Sequence, residues 1–225
     1  MVKKRKIAIL GGTGNLGYGL AWRWARAGHE VIIGSRVAEK AQNAAAELNK
    51  KPGAGSITGT DNLTATQRVE VVVLTVPFAA HAATLESILP GLNGQVLIDT
   101  TVPLMPPKVA VVQLPEAGSA AVITSETVGD RARVTAAYHN VAANLLEQDV
   151  EIDCDILVTG DDPETRREVM QLVEDSGCRA INAGKLANAA AAEALTSLLI
   201  HINRVYKTPH SGIRITGIDD ISGSE

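Results

Sequence analysis

"KIAILGGTGNLG", residues 6–17, runs from an apolar stretch straight into a glycine-rich one. Residues 6–10 read as a short buried strand, and a helix is expected from about 15 to 27. Leu16, Leu20, Trp24 and Ala27 fall on one face at helical spacing, and Gly28 stands where a helix-ending glycine would. Between strand and helix lies Gly12-x-Gly14-x-x-Gly17. Each glycine has its own physical reason. Gly12 permits the tight turn, Gly14 the close approach of a pyrophosphate, and Gly17 the close packing of helix on strand. The amides at the helix start, Asn15 and Leu16 among them, then face an anion. Alone the pattern is weak; directly after a strand and opening a helix, it marks a dinucleotide site.

The next strand decides which dinucleotide. "VIIGSR", residues 31–36, ends without an acid. A carboxylate there would accept a ribose 2′-hydroxyl and repel a 2′-phosphate. Here Ser35 is a donor, Arg36 offers charge-assisted bonds to phosphate, and Lys40 follows one helical turn on. Thr13 points a hydroxyl to the same side. This set predicts NADP rather than NAD.

Farther along, "VAEKAQNAAAELNK" (37–50) reads as a helix ended by Pro52-Gly53, and "SITG" (56–59) as a short strand. "EVVVLTV" (70–76) is a β-branched strand broken by Pro77, a helix follows over 79–89, and "QVLID" (95–99) is the next strand. Strands alternating with helices imply a parallel sheet with right-handed crossovers. The second half is less regular. Strands are expected at 132–138, 155–160 and 178–182. A helix capped by Asp162, with Pro163 in its first turn, is expected to about 176. An Ala-rich helix follows over about 186–205, then a polar, loop-like tail over 207–219. The fold class expected is α/β: a Rossmann-type, doubly wound, mainly parallel sheet with a small C-terminal α/β domain. The division is placed as 1–140 for the nucleotide-binding part and 141–225 for the smaller one.

Composition agrees. Of 225 residues 45% are hydrophobic but only 3% aromatic, so the core must be built from Ala, Val, Leu and Ile. A net charge of −4 argues against a nucleic-acid binder. Cys154 and Cys178 lack metal-ligand spacing and read as reduced thiols of a cytoplasmic protein; no metal is expected. No apolar run reaches the ~20 residues that span a bilayer. The basic run Lys3-Lys4-Arg5-Lys6 meets a strand at once, so it reads as a solvated lead-in rather than a signal peptide.

"LGGTGNLGYGLA", "GHEVIIGSR", "VVLTVPF", "TTVPL", "AYHNVAA", "VTGDDPETRREVMQLV", "NAGKLANA" and "EALTSLLIHINR" occur in this order. Together they make the chain resemble the NADPH-dependent reductases of coenzyme F420, the F420:NADP oxidoreductases. The resemblance implies reversible hydride transfer between nicotinamide C4 and C5 of an 8-hydroxy-5-deazaflavin. NADP(H) and coenzyme F420 would be the only small-molecule partners. It implies that Thr13, Gly14, Asn15 and Leu16 hold the pyrophosphate and adenosine side, and that Ser35, Arg36 and Lys40 hold the 2′-phosphate. Val76, Pro77, Phe78, Ala82, Leu104 and Ala143 would line the ribose and nicotinamide. Thr101, Val102, Pro103, His139, Leu186, Asn188 and Thr196 would meet the deazaflavin. After Asn188 the run Ala189–Ala192 supplies no cation for this second ligand, which leaves Arg204, Lys207 and His210 as candidates.

Direct hydride transfer to a ring carbon asks the protein for proximity and orientation, not for an acid/base group. No catalytic acid or base is therefore assigned, and His139 is a candidate ring contact. Three other readings stay open, one of them a ferric or flavin reductase using the same hydride donor. A β-hydroxyacid-type dehydrogenase would use Lys185 with Asn188. A non-catalytic NADP sensor would bind the nucleotide with no room for a second ring. The small residues of the last helix favour a homodimer through the C-terminal part.

Overall fold

The computed structural model describes residues 4–218; Lys3 and Asp219 lie outside them. Eight strands form one sheet among these residues: β1 (Lys6–Leu10), β2 (Glu30–Ser35), β3 (Ile57–Asp61), β4 (Val71–Leu74), β5 (Gln95–Asp99), β6 (Ala132–Ala136), β7 (Asp155–Gly160) and β8 (Arg179–Asn182). Their order is β3-β2-β1-β4-β5-β6-β7-β8. β1 to β6 run parallel, β7 pairs antiparallel with β6, and β8 runs parallel to β7. The order reverses between β1 and β4, and ligands of open α/β sheets bind outside such a switch point, at the carboxyl ends of the strands.

Helices cover both faces, which is why Val71, Val72 and Val73 are buried in succession instead of alternately. One face packs Ile7, Ile9, Val31 and Ile33 under α1 (Asn15–Arg26), α2 (Ala38–Leu48) and α7 (Pro163–Asp175), reached in the core through Trp24, Ala45 and Leu172. The other packs Ala8, Leu10, Val72 and Leu74 under Ala65 of α3 (Asn62–Thr66) and Leu85 and Ile88 of α4 (Phe78–Ile88). Asp162 caps α7 through Thr165 N at 2.9 Å, with Pro163 in the first turn as expected. Three short helices escape the sequence pattern: α3, α5 (Ala120–Val128) and α6 (Ala143–Leu146). α5 is rich in Val, Ile and Thr, poor helix formers. It is nucleated instead by Ser119, whose Oγ accepts from Val122 N at 3.0 Å.

The strand expected over 70–76 ends earlier, at Leu74, because Thr75 turns back. Its N–H and hydroxyl both donate to Leu10 O, at 2.9 and 2.8 Å. The last helix, α8 (Ala189–Tyr206), begins after a 3-10 turn at Leu186–Asn188. Past β6, Tyr138 adopts φ 66°, a left-handed conformation unusual for a bulky residue. Its ring packs edge-on to Trp24 and its hydroxyl lies 3.0 Å from Ser176 Oγ. Arg23 then ties the following segment to α1, donating to the carbonyls of Leu145, Leu146, Gln148, Val150 and Ser176. Residues 145–150 are thereby held against the C-terminal half of α1.

Candidate functional site

The turn after β1 closes through Gly14 N to Gly11 O at 2.9 Å. Its left-handed residue is Gly11, at φ +81°, and not Gly12 as the motif suggests. Gly12 is constrained by packing instead: a Cβ there would stand 3.0 Å from Ile33 Cγ2 and Ile9 O. At Gly14 a Cβ would meet only Gly11 O, at 3.5 Å, so the space above it is open. α1 has no side-chain cap at its N-terminus. Uncapped first-turn amides beside an open glycine fit an anion.

A cleft of about 480 Å³ opens there. Thr13, Gly14, Asn15 and Leu16 line it from the turn and α1, and Ser35, Arg36 and Lys40 from the end of β2 and α2. Ser35 Oγ accepts from Val37 N at 3.3 Å, which keeps its own hydrogen free to donate. Among the described residues the side chains of Arg36 and Lys40 form no ion pair. One acid does stand nearby, from the neighbouring strand: Asp61 is in register with Ser35. Its carboxylate accepts from Thr64 N at 2.9 Å, capping α3, and the bonds from Thr64 hold its pKa below the usual carboxylate range.

Val76 and Pro77 line the same cleft, but Phe78, Ala82 and Leu104 do not. α4 turns Ala80 and Thr84 toward the cleft, spaced one helical turn apart, while Phe78 stacks on His81 and Ala82 faces solvent. Asn62, Thr75 and Thr100 complete the wall and were not legible as ligands. Asn62 is buried and its Oδ1 has no hydrogen-bond partner.

A second hollow, of about 310 Å³, adjoins the first, and Asn15 lines both. His139 and Thr196 line it, with Asn140, Asn144 and Ala143, the last expected beside the nicotinamide but absent from the first cleft. One face of α8 forms a wall through Thr196, Leu199, Ile200 and Asn203. That i, i+3, i+4, i+7 spacing was the available sequence signal. Pro209 and Ser211 close the side. His139 is buried with neither ring nitrogen hydrogen-bonded, and burial lowers its pKa to about 4, so the imidazole is neutral near pH 7.

The remaining expected deazaflavin contacts line neither hollow. Thr101, Val102 and Pro103 follow β5 outside both linings, Thr101 N donating to Asp99 Oδ1 at 2.8 Å. Leu186 is buried against Ala121, Ala136 and Ala189, and Asn188 Nδ2 donates to Ala183 O at 2.8 Å. Both precede Thr196 by more than two helical turns, which separates them from the hollow. Lys185 Nζ donates to Asp161 O at 3.3 Å, so the Lys185 and Asn188 pair of a hydroxyacid dehydrogenase faces neither hollow. Arg204, Lys207 and His210 are exposed near the end of α8 without lining the hollow. Behind the wall, the buried Asp99 carboxylate meets Thr124 Oγ1 at 2.5 Å and His81 Nε2 at 2.9 Å. Burial pushes its pKa up, but these bonds, with His81 foremost, outweigh burial and hold it below the usual range.

The sequence profile of the family described as NADP oxidoreductase, coenzyme F420-dependent, matches residues 6–103. The F420-dependent NADP reductase of Methanothermobacter thermautotrophicus is 42% identical over 224 residues, 96% of this chain and 96% of that protein. The F420-dependent NADP reductase of Methanocaldococcus jannaschii is 38% identical over 223 residues, 95% of this chain and 99% of that one. A crystal structure of a candidate F420-dependent NADP-reductase from Arthrobacter sp. FB24 superposes with a TM-score of 0.78 at 27% identity, over 94% of this chain and 99% of that one. No helix among the described residues is long and apolar enough to cross a membrane.

Proposed function

We propose a function from one premise: the chain belongs to the family of F420-dependent NADP reductases. It is an oxidoreductase that transfers a hydride between NADP(H) and coenzyme F420. The two cofactors supply the chemistry, a hydride leaving nicotinamide C4 for the deazaflavin C5 or returning. The chain itself holds two rings against each other and excludes water.

The observation that carries the residue-level reading is that two hollows meet at Asn15, the first residue of α1. In this reading the open turn at Gly14 and the uncapped start of α1 take the pyrophosphate. Ser35, Arg36 and Lys40 take the 2′-phosphate. Val76 and Pro77, at the exit of β4, bring the nicotinamide toward Asn15. The second hollow takes the deazaflavin, against His139, Ala143 and Thr196. Residues 1–140 then form the nucleotide part, and 141–225 complete the deazaflavin site. A second hollow beside the nucleotide cleft also favours an enzyme over a sensor, which needs only one. Exposed Leu198, Val205 and Tyr206 on α8 support a homodimer through that part. Two free, buried thiols support a reducing, cytoplasmic setting.

Steady-state assays of NADPH against coenzyme F420, FMN and a panel of 2- and 3-hydroxy acids test the function. Turnover with coenzyme F420 is expected, with deuterium from 4-deuterated NADPH appearing at C5 of the deazaflavin by mass spectrometry. No reduction of coenzyme F420, or deuterium lost to solvent in a single forward turnover, overturns the reading.

A further inference from the structure

We infer that Glu193 is a positioning residue: its buried carboxyl group locks α8 to the start of α5 and so fixes the width of the second hollow. The inference rests on the reading of that hollow as the deazaflavin site.

Glu193 is 1% exposed, yet no cation pairs with it among the described residues. Glutamates are almost never buried without a partner. The partners here are backbone amides. Oε2 accepts from Ala120 N at 2.8 Å and Oε1 from Ala121 N at 3.1 Å, the first two residues of α5. Ser119 takes the third amide, of Val122. The helix start is thus satisfied by one side chain of its own segment and one from a helix much farther along, Glu193 and Ala121 being 72 apart in sequence. An acceptor pair on an N-terminus is favourable there, because it satisfies amides that have no partner within the helix. The anchor is also directional, since two parallel bonds leave little freedom to slide.

One turn on from Glu193, Thr196 Oγ1 donates to His139 O at 2.6 Å, and Ser197 Oγ reaches Val111 O at 3.4 Å. The helix is therefore pinned at three successive points: to α5, to the exit of β6 and to the segment between β5 and α5. From Thr196 the same helix presents Leu199, Ile200 and Asn203 to the hollow. The facing wall, Asn140 to Asn144, is anchored at one end by Asn140 Nδ2, which donates to Asp155 O at 2.6 Å, and the residues just after it are held by Arg23 through the carbonyls of Leu145, Leu146 and Gln148. The separation of the walls then depends on where α8 sits. Hydride transfer needs reacting atoms about 3–3.5 Å apart, so a shift of a fraction of an ångström in one wall is felt. Glu193 lines neither hollow, and it acts through the helix.

The test compares Glu193→Gln and Glu193→Ala with the unaltered chain. It reads thermal midpoint, NADPH affinity by fluorescence, kcat and KM for coenzyme F420, and amide exchange over residues 189–206. Glu193→Ala should raise the KM for coenzyme F420 about tenfold or more and speed exchange in α8, with NADPH affinity within about twofold. Glu193→Gln, which keeps one acceptor oxygen for one amide, should fall between. If the alanine variant does not fold, the glutamine variant carries the same comparison. An unchanged KM and kcat in a folded variant overturns the inference, and so does an equal loss of NADPH and coenzyme F420 binding. If the unaltered chain does not reduce coenzyme F420, the functional reading fails by itself. The positional claim is then decided by exchange: faster in 189–206 with the nucleotide cleft unchanged supports it, and no change refutes it.

Discussion

Gly17 and Thr75 stand so close that a Cβ on Gly17 would lie 2.5 Å from Thr75 Oγ1. That hydroxyl is already committed to Leu10 O, so it has no easy retreat. Gly17→Ala should therefore push α1 off β1 and β4. The expected cost is about 1–3 kcal/mol, the usual range for overpacking, read as a lower thermal midpoint together with weaker NADPH binding. Gly14→Val makes the opposite separation. Space above Gly14 is open and its φ of −89° suits any residue. The variant should melt near the unaltered chain and lose NADPH binding. Normal NADPH affinity in folded Gly14→Val would move the phosphate site elsewhere.

NADPH should be preferred over NADH, through Ser35, Arg36 and Lys40. Arg36→Glu replaces attraction by repulsion. The loss in NADPH affinity should exceed the ~1.5–3 kcal/mol of a hydrogen bond to a charged group. Equal catalytic efficiency with the two nucleotides in the unaltered chain would refute the assignment. Asp61, in register with Ser35, sharpens the test. Asparagine caps a helix about as well as aspartate, so Asp61→Asn should keep α3 while removing a charge that opposes the 2′-phosphate. A solvent-screened pair at this range is worth on the order of 0.5–1 kcal/mol, so NADPH should bind about two- to fivefold tighter, with NADH unaffected.

How much of this was legible follows from how each element is specified. β1, α1, β2 and α7 announce themselves by local pattern: apolar runs, the glycine turn, Asp162 before Pro163. α5 is only partly announced: Ser119 caps it locally, but its residues are poor helix formers and its first two amides are taken by Glu193 from the far end of the chain. The nucleotide cleft was largely readable, since Thr13 to Leu16, Ser35, Arg36 and Lys40 belong to one βαβ unit. Asn62 and Thr100 join it only through the sheet order, which no local pattern carries. The second hollow was harder. It is built where α8 crosses back over the exit of β6, so Thr196 and His139 meet there, while Leu186 and Asn188 are packing and turn residues.

Neither imidazole nor lysine should behave as a general acid or base in the hydride step. Lys185 is bonded to Asp161 O away from both hollows, and Lys185→Met should retain activity within about twofold. His139→Asn keeps a polar group of similar reach, and the rate should fall by around tenfold at most. The ~10²–10⁴-fold loss that accompanies removal of a general acid or base would contradict direct transfer between the two rings.

Two buried groups should give stability a pH dependence of opposite signs. His139 titrates at about 4 in the folded chain because burial disfavours its charged form, against 6.5 for a free imidazole. Between these values the unfolded chain binds a proton that the folded chain does not, so stability rises with pH across that window and is flat above it. Glu193 is shifted the other way. Burial, with a smaller push from the Asp99 charge, raises it from 4.5 to about 8 against the pull of the two amides. The folded chain then keeps a proton that the unfolded chain has released, so this contribution falls as pH rises from 4.5 to 8. Between 4.5 and 6.5 the two oppose each other, and from 6.5 to 8 Glu193 acts alone. The thermal midpoint of the unaltered chain should therefore decline between pH 6.5 and 8, and Glu193→Gln should remove that decline. His139→Asn should instead remove the loss on the acid side, worth at most on the order of 3 kcal/mol, and leave the alkaline side unchanged. Melting curves over pH 4–9 for the three proteins decide it. An identical pH profile in Glu193→Gln and the unaltered chain would mean that the Glu193 carboxyl is already ionised at pH 6.5.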